Sequence, residues 1–195
     1  MLFPYIPIVG QNLTLVPFEN KHIEGLKKIA FDKSIWENLP YKINSENDFA
    51  EYINSLKADI GNGIRYPYTV IDNQSSEILG STGFKFIDEI NKKLEIGTTW
   101  LATKTWGTKV NLESKYLLLN FCFTDNDVMR IEIKTREANI RSQKAIEKIG
   151  GIKEGMLRCD QINEDGTFRN SFLYSIIKPD WQALKPRLLA ELAQY

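Results

Sequence analysis

The stretch from Glu95 to Lys115, Glu-Ile-Gly-Thr-Thr-Trp-Leu-Ala-Thr-Lys-Thr-Trp-Gly-Thr-Lys-Val-Asn-Leu-Glu-Ser-Lys, changes its period half-way. It begins as a strand: Leu94 and Ile96 alternate with Glu95 and Gly97, and Thr98, Thr99 and Trp100 favour extended backbone. It ends as a helix, with Val110, Leu117, Leu118, Phe121 and Cys122 recurring at helical spacing through Phe123. Between them, Lys104-Thr-Trp-Gly107-Thr-Lys109 is a polar turn with one glycine. A strand that turns tightly into a helix leaves free N–H groups at the helix N-terminus, which suit an anion. Lys104 and Lys109 stand at the positive end of the helix dipole, where cations are mildly unfavourable. A polyphosphate held between them accounts for both; an ordinary joint with solvated lysines is the competing reading. The glycine spacing matches neither a Walker P-loop nor a Rossmann fingerprint.

The rest of the chain alternates helical and extended patterns around this joint. A first strand covers 13–16. Asn20 can cap a helix over 21–29 with Ile23, Leu26 and Ile29 on one face, and 32–39 is a short helical turn ended by Pro40. Ser45 opens a third helix carrying Phe49, Tyr52, Ile53 and Leu56. Strands are expected at 66–72, 77–87 and 93–102, then, after the joint, at 129–134, where Met129, Ile131 and Ile133 alternate with charged residues. Asn139 caps a helix whose inward face is Ser142, Ala145, Ile146 and Ile149, stopped by Gly150-Gly151. Strands over 152–162 and 168–177 meet at Asn163-Glu-Asp-Gly166, a hairpin turn, and Pro179 begins a last helix. This order implies a mixed α/β sheet with helices on both faces.

At 195 residues, with no repeat or linker, one domain over 1–195 is expected. Lys plus Arg and Asp plus Glu number 25 each, so no overall field favours nucleic acid or a membrane surface. No apolar run approaches a membrane span, and the N-terminus is unlike a signal peptide. The two cysteines have no metal-ligand spacing, His22 stands alone, and no metal site is expected; reduced thiols in the cytoplasm are the expectation.

The joint resembles the acetyl-CoA loop of GNAT-type N-acetyltransferases, whose pattern is Arg/Gln-x-x-Gly-x-Gly/Ala; here it reads Lys104-x-x-Gly107-x-Lys109. The longer string Trp-Leu-Ala…Trp-Gly-Thr-x-Val-Asn-x-Glu-x-Lys is similar to the branch of ribosomal-protein N-terminal acetyltransferases, the RimJ/RimL type. The resemblance continues through Asn139-Ile-Arg-Ser142-x-Lys-Ala-Ile-Glu-Lys-Ile-Gly-Gly, Glu154-Gly-Met-Leu-Arg158 and Arg169-Asn-Ser-Phe-Leu-Tyr-Ser-Ile-Ile-Lys-Pro-Asp-Trp181, and also covers Leu13-Thr-Leu-Val-Pro and Ile35-Trp-Glu-Asn-Leu-Pro40. It implies the GNAT fold, a mostly antiparallel central sheet flanked by helices with a splayed parallel strand pair.

The resemblance also implies the site. Acetyl-CoA as cosubstrate would lie along Trp100, Leu101 and Ala102, with its pyrophosphate over Lys104, Thr105, Trp106, Gly107, Thr108, Lys109, Val110 and Asn111, and with Asn139, Ser142 and Lys144 reaching it from the later helix. Glu95 occupies the strand position where relatives often carry the base that takes the amine proton. Relatives place a tyrosine acid where this chain has Ile146, leaving Ser142 as the nearest replacement. Trp36 and Tyr41 correspond to the acceptor groove. For each a plainer reading stands beside this one: core packing for Trp36 and Trp100, a solvent-facing strand residue for Glu95, a helix-start serine for Ser142, a solvated lysine for Lys144.

The expected reaction is direct transfer of acetyl to a primary amine in a ternary complex of a monomer or homodimer. A protein N-terminal amine leads, a small amine (polyamine, amino acid or antibiotic) follows, and a non-catalytic acyl-CoA-binding module is the reading from another class.

Overall fold

The computed structural model describes residues 3–163 and 166–195. In chain order it runs β1 (Ile8–Val9), β2 (Leu13–Pro17), a 3-10 turn, α1 (Ile23–Ala30), a second 3-10 turn (Lys33–Ile35), α2 (Glu46–Gly61), β3 (Arg65–Asp72), β4 (Ile78–Asp88), β5 (Lys93–Ile96), β6 (Trp100–Leu101), α3 (Lys109–Asn120), β7 (Arg130–Arg136), α4 (Ile140–Lys148), β8 (Ile152–Ile162), β9 (Phe168–Ile177) and α5 (Lys178–Leu192). The strands form one sheet of order β1-β2-β3-β4-β5-β7-β9-β8, with β6 paired to β4. Every pairing is antiparallel except β5 with β7. This is the mixed sheet the sequence implied.

Helix starts follow the capping residues. Ser45 accepts the Asp48 amide at 3.2 Å while Asp48 accepts the Ser45 amide at 3.0 Å, a reciprocal box that opens α2. Asn139 accepts the Ser142 amide at 3.0 Å and starts α4. Where a first helix was expected from Asn20, the chain makes a 3-10 turn, because the buried His22 ring accepts the Glu19 amide at 3.1 Å. The helix after the joint ends its α-helical part at Asn120 and widens into a π turn over Phe121–Asp125. Met129 precedes β7 and is exposed, whereas Ile131 and Ile133 are buried as their alternation demands. Residues 164 and 165 of the expected hairpin turn lie outside the described residues; beside them the Asn163 amide bonds the Thr167 carbonyl at 2.8 Å.

Two apolar clusters hold the layers together. The larger sets Leu118, Leu119 and Phe121, with Trp181 and Leu188 of α5 and Ile146 and Ile149, against Phe84, Ile131, Ile133, Tyr174 and Ile176 of the sheet. The smaller joins α1 and α2 around Trp36, Tyr52 and Trp100. Burial of these side chains is the main favourable term in folding.

The strand expected over 93–102 is interrupted. β4 pairs with β5 up to Phe84↔Ile96 and resumes with β6 at Ser81↔Trp100. Thr82 and Gly83 of β4 therefore face three residues, 97–99, and the extra residue makes a β-bulge. The strands approach closely beside it: a Cβ on Gly80, at φ +145°, would come within 2.2 Å of the Trp100 carbonyl oxygen.

Candidate active site

The bulge turns β5 away from its parallel neighbour. Three register pairs, Lys93↔Arg130 to Glu95↔Glu132, join β5 to β7. Beyond them β7 continues to Arg136 while the other chain bends through residues 97–99 into β6. A cavity of about 1140 Å³ opens at this fork. One wall is the bulge, the loop Thr105–Thr108 and the first turns of α3 at Asn111, Leu112 and Lys115; the other is β7 from Ile133 to Arg136 with Asn139, Arg141, Ser142 and Ala145. The 38–41 segment with Asp59 and Arg65, and the β8–β9 ribbon at Asp160, Gln161 and Arg169, complete it.

The residues singled out from the sequence divide accordingly. Glu95, Trp100, Leu101, Thr105, Trp106, Gly107, Thr108, Asn111, Asn139, Ser142 and Tyr41 all line this cavity. Ala102, Lys104, Lys109, Val110, Lys144 and Trp36 are not among its lining residues. Lys104 turns outward to Glu77 at 2.5 Å, and Lys109 reaches Asn12 at 2.9 Å, so in this structure neither lysine points at the space between them. Lys144 is exposed. Trp36 is 1 % exposed, donates its indole N–H to the Ala30 carbonyl at 2.6 Å and packs against Trp100 with ring centroids 5.1 Å apart and planes tilted by 44°. Tyr41 accepts from the Arg65 guanidinium at 3.1 Å.

Glu95 does not face open solvent. It is 4 % exposed, with Lys85 Nζ 2.8 Å from Oε1 and Lys134 Nζ 3.6 Å from Oε2. In Ser142 the amide serves the Asn139 cap, and the residue lines the cavity. Thr108 caps α3, its hydroxyl accepting the Val110 amide at 3.3 Å, so the positive end of a twelve-residue helix opens beside Gly107. Gly107, at φ +76°, has open space where a Cβ would stand.

Several cavity residues were not singled out from the sequence. Arg141 lies over the Trp106 ring, 3.4 Å from its centroid. Arg169 is 8 % exposed; its Nε and the Asp160 Oδ2 are buried and have no hydrogen-bond partner among the described residues. Burial, with Arg136 close by, lowers the Arg169 pKa against the opposing pull of Asp160. Lys115 is 7 % exposed and donates to Thr82 at 2.9 Å and Thr99 at 2.5 Å. Burial alone pushes its pKa down to about 7. The available signal was the polar triplet Glu113-Ser-Lys115 inside an apolar helix.

The sequence profile described as the acetyltransferase (GNAT) domain matches residues 12–152. The chain belongs to the GNAT acetyltransferase family. The N-acetyltransferase p20 of Bacillus licheniformis, itself uncharacterized, is 28 % identical over 139 residues, spanning 71 % of this chain and 75 % of that protein. Among solved structures, Mycobacterium smegmatis RimJ in complex with CoA-disulfide superposes with a TM-score of 0.76 at 20 % identity, covering 95 % of this chain and 91 % of that one. RimL, described as a ribosomal L7/L12 alpha-N-protein acetyltransferase, has a TM-score of 0.76 at 21 % identity over 88 % and 93 % of the two chains. At such identity these two structures speak for the fold.

As a GNAT acetyltransferase, the chain is an acetyl-CoA-dependent N-acetyltransferase. The fork suits that cosubstrate. It joins an interrupted strand, which frees main-chain groups, to a helix N-terminus, which suits phosphate. Among the described residues no group of three or more His, Cys, Asp or Glu could hold a metal ion, and no helix is long and apolar enough to cross a membrane.

Proposed function

We propose that the acceptor is a protein N-terminal amine, acetylated by direct attack on acetyl-CoA within one domain that spans the chain. The observation that carries this reading is the pair of unsatisfied groups at the β8–β9 end of the cavity, Asp160 Oδ2 and Arg169 Nε. Each unpaired buried polar atom costs on the order of 1–3 kcal/mol. A peptide main chain offers both complements, N–H groups to the carboxylate and C=O groups to the guanidinium. A polyamine offers only donors: it can meet Asp160 but leaves Arg169 Nε unpaired, and it sets its charges beside Arg136 and Arg169. The description of RimL as an alpha-N-protein acetyltransferase agrees with this acceptor.

The chemistry follows from the lining. Main-chain groups of the bulge and of Trp100 and Leu101 hold the thioester. Thr105 to Thr108, Asn111 and Arg141 surround the phosphates, and Lys104 and Lys109 stand outside that set. An α-amine has a pKa near 8, about two units below a lysine side chain, so a useful fraction is neutral at physiological pH. Glu95 receives the remaining proton, directly or through water, once the new C–N bond forms.

The test is thiol release from acetyl-CoA with three acceptors: peptides with a free N-terminus, the same peptides N-terminally blocked but carrying a lysine, and spermidine. Turnover on the free N-terminus, at least tenfold above the others, is expected. Equal or faster turnover on spermidine would overturn the reading.

A further inference from the structure

The bulge is fastened by a lysine. Thr82, fully buried, lies on its short side, and Thr99, which lines the cavity, lies on its long side. Their hydroxyls are 2.8 Å apart, and Lys115 Nζ reaches both from α3. Among the described residues no carboxylate pairs with this amine. On its own helix Glu113 is taken up by the Asn12 and Leu13 amides and the Asn12 side chain. On β4 and β5, Lys85 and Glu95 pair with each other, and Lys134 of β7 lies against the same carboxylate. β1 and β2 carry no titratable side chain. α5 meets α3 through Trp181, packed against Tyr116 and Phe123. A buried cation held only by two threonine oxygens has a weak grip on its proton. Either hydroxyl can be the donor of that pair; in the arrangement with Thr82 donating, the network leaves the Thr99 hydroxyl hydrogen unused, on a residue that lines the cavity.

We propose that Thr99 and Lys115 form a proton relay to the departing sulfur, filling the role that no tyrosine at position 146 can fill. The inference rests on the acetyl-transfer reading above. As the acceptor nitrogen bonds the carbonyl carbon, the C–S bond breaks and its electron pair stays on sulfur. Sulfur takes the Thr99 hydroxyl proton, Thr99 takes one from the Lys115 ammonium, and Lys115 is left as a neutral amine. The N–H that met Thr99 has then become the Thr99 O–H, which donates to the amine's lone pair, while one remaining N–H stays on Thr82; Lys115 regains a proton from solvent after release. Thr99 is the residue that meets the reacting sulfur; Lys115 acts through it. A donor pKa near 7, against a thiol near 8.5, makes the transfer downhill. The relay is loaded only while Lys115 is protonated, so kcat falls as pH rises through that value.

The experiment compares kcat–pH profiles of the wild type, Lys115→Met, Thr99→Val, Thr99→Ser and the Lys115→Met/Thr99→Val double variant. Acetyl-CoA affinity is measured by calorimetry, and Lys115 is titrated by NMR in lysine-labelled wild-type protein. Expected are losses on the order of tenfold to a hundredfold in kcat for Lys115→Met and Thr99→Val. Both should lack the falling high-pH limb, the double variant should be no slower, and Thr99→Ser should stay near wild type, all with acetyl-CoA affinity within about threefold. A wild-type rate or an unmoved limb in Lys115→Met, additive losses, or a Lys115 pKa above about 9 would overturn the relay. If Lys115→Met does not fold, Thr99→Val and the titration decide. If the wild type ignores peptides, the acceptor reading fails, and the titration still decides the relay: a pKa near 7 that moves on CoA binding upholds it, and a value above about 9 sinks it.

Discussion

Arg141 and Trp106 clasp the mouth of the cavity, the guanidinium carbon 3.4 Å above the indole centroid. One comes from the first turn of α4 and the other from the loop before α3, so the contact bridges the two walls of the fork. Such contacts contribute about 0.5–2 kcal/mol. Arg141→Gln removes the bridge and, with the phosphates lying along Thr105 to Thr108 as proposed, a cation beside them. Calorimetry should show acetyl-CoA binding weakened about threefold to tenfold, with a shallower salt dependence than the wild type. Unchanged affinity would make the clasp a purely local contact.

Gly107 separates charge from shape. Its φ of +76° is unfavourable for most side chains, but Asn and Asp tolerate that region, and nothing stands within 4 Å of the place a Cβ would take. Gly107→Asn should therefore fold and bind acetyl-CoA within a few-fold of the wild type. Gly107→Asp, nearly isosteric, sets a carboxylate beside the phosphates and should bind at least about tenfold more weakly. Equal affinities for the two variants would remove the phosphates from this loop.

Leu118 has no exposed surface and sits in the larger core beneath the sheet. Leu118→Ala should destabilise the protein by about 2–5 kcal/mol in chemical denaturation. A loss under about half a kcal/mol would contradict its place in that core.

Ser142 and Thr99 compete for the same task from opposite walls. The Ser142 amide is engaged in the α4 cap, and among the described residues no hydrogen bond ties its hydroxyl to a proton reservoir. Ser142→Ala should lower kcat less than about tenfold and leave the high-pH limb in place. A larger loss than in Thr99→Val would reassign the donor to α4.

Glu95→Gln tests the proton acceptor on the amine. It should slow turnover most at low pH, where the acceptor is charged, while acetyl-CoA affinity stays nearly intact. It also strips Lys85 and Lys134 of their shared carboxylate, so a modest fall in melting temperature should accompany it. A fall in stability with an unchanged pH–rate profile would leave Glu95 as an ion-pair anchor only.

What could be read from the chain follows from how local each signal is. The strand, turn and helix of the joint, the Ser45 and Asn139 caps and the alternation in β7 were legible, because each is written in adjacent residues. The bulge was not: one extra residue becomes visible only against β4, some fifteen positions earlier in the chain, and Thr98 and Thr99 favour strand on their own. Lys104 and Lys109, unfavourable at the positive end of the helix dipole, were read as flanking a polyphosphate, but Glu77 and Asn12, distant in sequence, claim them. Glu113, Ser114 and Lys115 resemble a solvent face; all three are buried, with Glu113 holding the Asn12–Leu13 backbone and Lys115 holding the bulge.

The buried lysine also fixes how stability responds to pH. Its folded pKa is about 7, pushed down by burial, while an unfolded lysine titrates near 10.4. Between these values the unfolded chain holds a proton that the folded protein has released. The slope of unfolding free energy with pH is 2.303RT times the protons bound unfolded minus those bound folded, which is positive here. Stability from this group therefore rises from about pH 7 toward pH 10, and below about pH 7 its contribution is constant and at its least favourable. Between pH 7 and 8.5 the gain is about 1–2 kcal/mol. Lys115→Met has no such proton to release. Denaturation curves at the two pH values should show the wild type gaining this increment over the variant; parallel changes in both proteins would mean that Lys115 keeps its proton in the fold, and with it that Thr99 has no reservoir behind it.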